Sequence, residues 1–469
     1  MQEFSKTKIV ATIGPSTWDD DILKQMINSG LQVARINASF ADAAELERVS
    51  NQLRRLSPRL AIMLDTKGFK IRVTGFEKEF ELRTNQEILL GSEENTREDI
   101  LKVTYSNIHN SVSIGTKILL DDGNIQMEVV ELREDLVLCK VLQGGILKPA
   151  KTVNIPSINL EFPTLTEKDR SDILFAKEHH FDLVSLSFVR NKEDILTVRK
   201  LLEGSDIKII SKIENKEGII NFDEILEETD GIMIARGDLG VETPLENVPV
   251  LQKQMIYKCR AKGKPVIVAT QMLESMRDNI LPTRAEVSDV ANAVMDGTDA
   301  LMLSAETSTG KYPVQVVKEM VKIAKNAESV MQASPIIGHT DATLETDEIC
   351  KQVYDLTLSL NLKGVIVVSK TGKTIASLSR HRLNIPIWEI GTSLERLRQD
   401  SLLRGVKGFY LSELPTDRDE CTQKTVETVY SYGELDLNDK IAIISGSSIR
   451  HRTNNTILEI VTVKDVLTR

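Results

Sequence analysis

Eight short apolar runs alternate with amphipathic stretches through the first 330 residues of this chain, and this alternation constrains the fold more than any other feature. The runs occupy 7–13, 33–37, 60–65, 183–187, 208–212, 231–235, 265–269 and 300–303. Each is too short to be a helix of ordinary length and too continuously apolar to be a half-solvated strand, so each reads as a buried parallel strand. Between them, 19–29, 43–56, 192–202 and 313–330 carry helical periodicity. Eight β-then-α units predict an α/β protein built on a closed (β/α)8 barrel.

The alternation breaks between the third and fourth runs. From about residue 72 to 157 the sequence is β-rich, with turn signals such as Asp121-Asp-Gly-Asn124 and Gln143-Gly-Gly145. Asp122-Gly123 between apolar runs predicts a hairpin turn. An all-β insertion after a barrel strand lies over the C-terminal face and is placed to act as a lid. After about residue 334 the pattern restarts. Runs at 364–369, 385–390 and 440–446 predict a separate α/β domain with a central, mainly parallel sheet. The expected organisation is a barrel from 1–71 and 158–333, a lid from 72–157, and a C-terminal domain from 334–469.

Composition excludes several classes. The net charge of −10, with no basic stretch interleaved with aromatics, argues against nucleic-acid binding. No apolar run approaches the roughly 20 residues that span a bilayer, and the polar N-terminus has no signal-like core, so a cytoplasmic protein is expected. The four cysteines are scattered without a CxxC pair, which fits reduced structural thiols.

The strand ends carry the chemistry. The second run ends with Arg35, Asn37 and Ser39 on alternate positions, hence on one face. The third ends at Asp65-Thr66-Lys67-Gly68, the fifth at Lys212 and Glu214, the sixth at Arg236-Gly237-Asp238, the seventh at Thr270, and the eighth at Ser304. Barrels hold their active sites at this end. Two hard carboxylates, Glu214 and Asp238, suit Mg²⁺, which takes one or two carboxylates and completes its shell with water and phosphate. The plainer reading, salt-bridge partners for Lys212 and Arg236, stays open at this point. Lys212 is suited to neutralising a transferring phosphoryl group and a developing enolate. Backbone N–H groups at the Gly237-Asp238 turn suit a carboxylate. In the C-terminal domain, Ser369, Lys370, Thr371, Gly372, Lys373 and Thr374 follow a strand directly and combine hydroxyls, a glycine and two ammonium groups, a composition suited to phosphate.

Several long motifs then occur in order: Thr7-Lys-Ile-Val-Ala-Thr-Ile-Gly-Pro15, Ser211-Lys-Ile-Glu-Asn215, Ala235-Arg-Gly-Asp-Leu-Gly240, Ala269-Thr-Gln-Met-Leu-Glu-Ser-Met276, Pro282-Thr-Arg-Ala-Glu286 and Met302-Leu-Ser-Ala-Glu-Thr307. Together they closely resemble the pyruvate kinase family over essentially the whole chain. The resemblance implies transfer of a phosphoryl group from phosphoenolpyruvate to ADP in glycolysis, by a cytoplasmic homotetramer. It implies Mg²⁺ (or Mn²⁺) on Glu214 and Asp238, transition-state stabilisation by Lys212, and substrate against Arg35, Gly237, Asp238 and Thr270. Asn37, Arg72 and Lys151 match nucleotide contacts, Ser304 matches a residue in the enolate's proton relay, and 369–374 matches a loop that grips a sugar-phosphate effector. Arg450 and Arg452 lie where relatives complete that effector pocket.

The chain departs from the family at two places. Ala38 and Phe40 stand in the segment after the second strand, with Phe40 replacing a histidine that contacts nucleotide. Phe69-Lys70 replaces the usual Pro-Glu. The resemblance implies K⁺ on Asn37, Ser39, Asp65 and Thr66, but a Lys70 ammonium can supply that positive charge instead. Both readings stay open, and the charge argument favours reduced K⁺ dependence.

Overall fold

The computed structural model describes residues 5–156, 158, 162–331, 335–446 and 455–468. Its first closed sheet contains the eight anticipated strands: Lys8–Ile13, Leu31–Asn37, Ala61–Asp65, Leu183–Leu186, Lys208–Ile213, Gly231–Ala235, Val266–Ala269 and Ala300–Leu303. All neighbours are parallel, and the eighth strand returns to the first through the register Lys8 to Ala300. The strands are buried along nearly their whole length because helices cover the outside and side chains fill the inside. The helix Pro313–Val330 spans the residues its periodicity marked, with proline in its first turn.

The insertion is a second closed barrel of seven strands, running from Ile71–Thr74 to Thr152–Asn154. Its first strand therefore starts one residue before the expected boundary at 72. The hairpin turn is present between Lys117–Leu120 and Ile125–Arg133, with Asp121, Asp122 and Gly123 all at positive φ. Where the chain enters and leaves the lid, Phe69 stacks on Phe162 with ring centroids 5.4 Å apart.

The C-terminal sheet has five strands, two more than the sequence marked. Val406–Tyr410 adds a parallel edge, and Asn455–Thr462 pairs antiparallel with Lys440–Gly446 at the other side. Charged side chains fasten this domain to the bottom of the barrel. Arg382 clamps Asp299 through two contacts of 3.0 and 2.7 Å, with both side chains buried. Arg398 reaches Asp182 at 2.6 Å, and Lys8 Nζ donates to the Val406 carbonyl at 2.5 Å. The segment containing Arg450 and Arg452 lies outside the described residues.

Candidate active site

The C-terminal ends of the barrel strands open into a cleft of about 710 Å³ facing the lid. Its lining includes Arg35, Asn37, Ser39, Thr66, Lys70, Arg72, Lys212, Glu214, Asp238, Thr270 and Ser304. With Ser187 and Phe188 from the fourth strand, residues from seven strand ends and the lid's first strand thus converge on one space.

Lys212, the last but one residue of its strand, is 8% exposed. Its Nζ donates to Ser187 Oγ (2.7 Å) and Asp65 Oδ1 (3.1 Å), and lies 3.1 Å from Glu214 Oε1. Burial alone would lower its pKa, but the charges of Asp65 and Glu214 outweigh burial and raise it. The charged form of the ammonium is therefore favoured. Asp65 is fully buried and gives its other oxygen to Arg35 Nε at 2.5 Å, while Arg35 Nη1 donates to Thr12 Oγ1. Burial pushes the Asp65 carboxyl up, yet Arg35 and Lys212 prevail and hold it below the usual carboxylate value. Both of its oxygens are thus committed to protein cations.

Glu214 sits just past the same strand, 1% exposed. Its Oε2 accepts the Phe188 amide at 2.7 Å, and Phe188 adopts φ +54, a left-handed conformation that costs a non-glycine residue free energy. Burial raises the Glu214 pKa, Lys212 opposes the rise, and nearby Asp238 adds to it. A divalent cation between the two carboxylates would relieve that repulsion. Asp238 stands in the first turn of the short helix Arg236–Glu242 and receives Lys70 Nζ at 2.5 Å. Arg236 turns away from Asp238 to form a two-point pair with Asp289. The salt-bridge reading therefore holds for Glu214 with Lys212 and fails for Asp238 with Arg236.

The donor set fits a hard divalent metal. Among the described residues no three acidic, histidine or cysteine side chains converge on one point, so a metal on Glu214 and Asp238 would draw its remaining ligands from substrate and water.

One expectation needs correction. The Gly237 N–H is not free: it donates to Thr270 Oγ1 at 2.8 Å. Thr270 and Gln271 both have positive φ, and Arg236 Nη2 donates to the Thr270 carbonyl at 2.8 Å. A strained turn is thus pinned so that its hydroxyl covers the glycine amide.

Other expected residues divide between the cleft and the lid. Ser39 N donates to Asn37 Oδ1, and Thr66 Oγ1 accepts the Ser187 amide. Arg72 lines the cleft with Nη1 donating to the Ala150 carbonyl at 2.6 Å. Lys151 is held on the lid by Asp121 at 2.6 Å, and does not line this cleft. Lys70 shares the cleft with Asn37, Ser39 and Thr66, but its ammonium is given to Asp238. Phe40 stands at the rim, 87% exposed. In the C-terminal domain, 369–374 joins the strand Leu362–Val368 to the helix Lys373–Ser379. Ser369 Oγ accepts the Gly372 amide at 3.0 Å, leaving Lys370, Thr371 and Lys373 exposed.

Sequence reasoning gave no role to Ser187, Phe188 or Glu306. Ser187 ends the fourth strand run and carries Lys212, and Glu306 accepts the amides of Ser304 (2.6 Å) and Leu273 (3.4 Å). Glu306 lies in the Ser304-Ala-Glu-Thr307 strand end that the sequence marked, and its place two residues after Ser304 was the available signal.

The fold and this cleft define a (β/α)8 enzyme whose site is built for phosphoryl transfer. Residues 4–317 match the family model for the pyruvate kinase barrel domain, and 347–461 match that for the pyruvate kinase alpha/beta domain. The chain is 41% identical to a pyruvate kinase of Geobacillus stearothermophilus over 99% of its own length and 81% of the relative's. It is 38% identical to one from Clostridium perfringens, over 96% and 98%. The crystal structure of a pyruvate kinase from Cryptosporidium parvum superposes with a TM-score of 0.91 at 34% identity, covering 98% of this chain and 96% of that one. The chain belongs to the pyruvate kinase family.

Proposed function

We propose that this chain transfers the phosphoryl group of phosphoenolpyruvate to ADP, giving pyruvate and ATP, as a phosphotransferase of glycolysis. The observation that carries the reading is Lys212: a buried ammonium, held charged by the Asp65 and Glu214 carboxylates, in a cleft that also holds the Asp238 carboxylate. A divalent cation on Glu214 and Asp238, Mg²⁺ or Mn²⁺, would act there as a Lewis acid toward substrate oxyanions.

The protein's own groups supply the rest. Lys212 would stabilise the charge that develops on the transferring phosphoryl and on the enolate oxygen, and its burial magnifies that effect. Arg35 brings a second fixed positive charge beside it. A substrate carboxylate would take the Gly237 amide from Thr270 Oγ1, freeing that hydroxyl to turn toward substrate. Ser304, fixed by Glu306 through its amide, lines the same cleft and would pass a proton to the enolate. Arg72 would receive ADP phosphates, and lid closure would bring Lys151 toward them. K⁺ on Asn37, Ser39 and Thr66 is dispensable in this reading, because Lys70 already brings a positive charge to the cleft and Asp65 is committed. The loop at 369–374 would take the phosphate of an effector, its lysines exposed and its backbone already turned. A homotetramer completes the reading. Among the described residues no helix is long and apolar enough to cross a membrane.

The test is pyruvate formation from phosphoenolpyruvate with Mg²⁺, with and without ADP. Stoichiometric pyruvate and ATP, dependent on ADP, is expected. Pyruvate release that ignores ADP, or none at all, would overturn the assignment.

A further inference from the structure

The C-terminal domain contains a buried acidic pair that takes no part in the barrel's chemistry. Glu389 lies in the strand Ile387–Gly391 and is 0% exposed, and among the described residues neither carboxyl oxygen accepts a hydrogen bond from an N–H donor. Its carboxyl meets that of Asp400, which ends the helix Leu394–Asp400 and is 8% exposed. Arg396, one turn earlier, reaches Asp400 Oδ2 with its Nε at 3.1 Å. One guanidinium therefore faces two carboxyls. Two adjacent buried carboxyls cannot both ionise against a single cation, and such pairs keep a shared proton. Burial first, and then the neighbouring Asp400 carboxyl, push Glu389 well above the ordinary value of 4.5.

The backbone of the 369–374 loop rests directly on this cluster. Gly372 has φ +73, and a Cβ added there would lie 2.5 Å from both Arg396 Nη2 and Asp400 Oδ2. Only glycine fits, so the loop's position depends on where that ion pair sits. The strands flanking Glu389 present Val367 and Gly408 beside it and bring no charge. Beyond Arg396, the charge acting on the pair is Lys208, which reaches Asp400 from the start of the fifth barrel strand, while Lys370 and Lys373 on the loop are exposed.

We propose that Glu389, Asp400 and Arg396 form a pH-sensitive latch that holds the 369–374 loop in place while the carboxyl pair keeps its proton and releases it when that proton is lost. On deprotonation the second negative charge repels Asp400 from Glu389. Arg396 must then divide between them, and the surface supporting Gly372 shifts. The folded state binds more protons than the unfolded chain above the ordinary carboxyl range, so the latch weakens as pH rises and holds as pH falls. This inference does not require the loop to bind an effector.

Amide hydrogen exchange of the full-length protein across about pH 5 to 9, expressed as protection factors to remove the intrinsic pH dependence, tests it. In the wild type, protection within 369–374 should fall about tenfold or more with rising pH, while the barrel strands change little. Glu389→Gln keeps a neutral hydrogen-bonding partner for Asp400 and should make the loop's profile flat. Asp400→Asn serves the same purpose if the first variant does not fold. A flat wild-type profile, or an undiminished fall in the variants, would overturn the latch.

Discussion

Lys70 Nζ lies 2.5 Å from Asp238 Oδ1, so a lysine from the third strand's exit loop occupies one of the two carboxylates suited to the divalent metal. The same ammonium sits 5.2 Å above the Phe188 ring, whose amide holds Glu214. Its positive charge is thus fixed inside the cleft, and an added K⁺ would meet repulsion that strengthens where water is excluded. Turnover in a tetramethylammonium buffer should be substantial without KCl, and Lys70→Glu should create a K⁺ requirement. Near-complete loss of wild-type turnover without K⁺ would sink this reading and leave the phosphotransferase assignment standing.

Lys212→Met removes the ammonium that Asp65 and Glu214 hold in place. Phosphoryl transfer should fall by at least about 10²–10³, the scale of losing a preorganised electrostatic contact. Proton exchange on pyruvate should fall less, because Ser304 and Arg35 remain. The variant also leaves Glu214 without its cation, so a lower Tm is expected alongside. Equal loss of both activities, measured as ATP-coupled pyruvate formation and deuterium wash-in, would mean that Lys212 serves the proton step as well.

The barrel was legible because buried parallel strands and amphipathic helices differ in both period and length, and the eight strands lie within a few residues of their apolar runs. Two C-terminal strands were missed for a physical reason. Val406–Tyr410 is a half-exposed edge containing Lys407 and Gly408, and the sequence between Gly446 and Asn455 carries no two-residue turn motif of the kind that would announce an antiparallel partner. In the site, residues borne on strand ends could be read directly, since alternation fixes their face. Pairings across the fold could not. Lys70 and Asp238 are 168 positions apart, and Lys212 rests on Ser187 and Asp65 from two other strands. The cover that Thr270 places on the Gly237 amide depends on two left-handed residues that no local pattern announces.

Phe40 is a large apolar side chain left exposed at the rim of the cleft that also contains Arg72. A flat ring there can pack on a nucleotide base but makes no hydrogen bond to it. Phe40→Ala should raise KM for ADP by about 2- to 10-fold, the range of an aromatic contact, with little change in KM for phosphoenolpyruvate. Because stacking discriminates bases poorly, GDP should be used nearly as well as ADP by the wild type. Steady-state kinetics with both nucleotides check this, and an unchanged KM for ADP in the variant would remove Phe40 from the nucleotide site.

His381 gives the folded state a distinct acid sensitivity. It is 1% exposed, neither ring nitrogen has a hydrogen-bond partner among the described residues, and it lies near the Arg380 charge and 6.1 Å from the Tyr354 ring. Burial, and then the Arg380 charge, lower its pKa from the ordinary 6.5 to about 4. Between those values the unfolded chain binds a proton that the folded chain refuses, so stability is full above pH 6.5 and is lost as pH falls toward 4. His381→Phe keeps a ring of similar bulk and cannot be protonated. Its Tm should therefore fall less steeply than the wild type's across this window, with the two curves parallel above it. Parallel curves throughout would show that His381 reaches water or a partner on protonation, and that its burial does not govern acid stability.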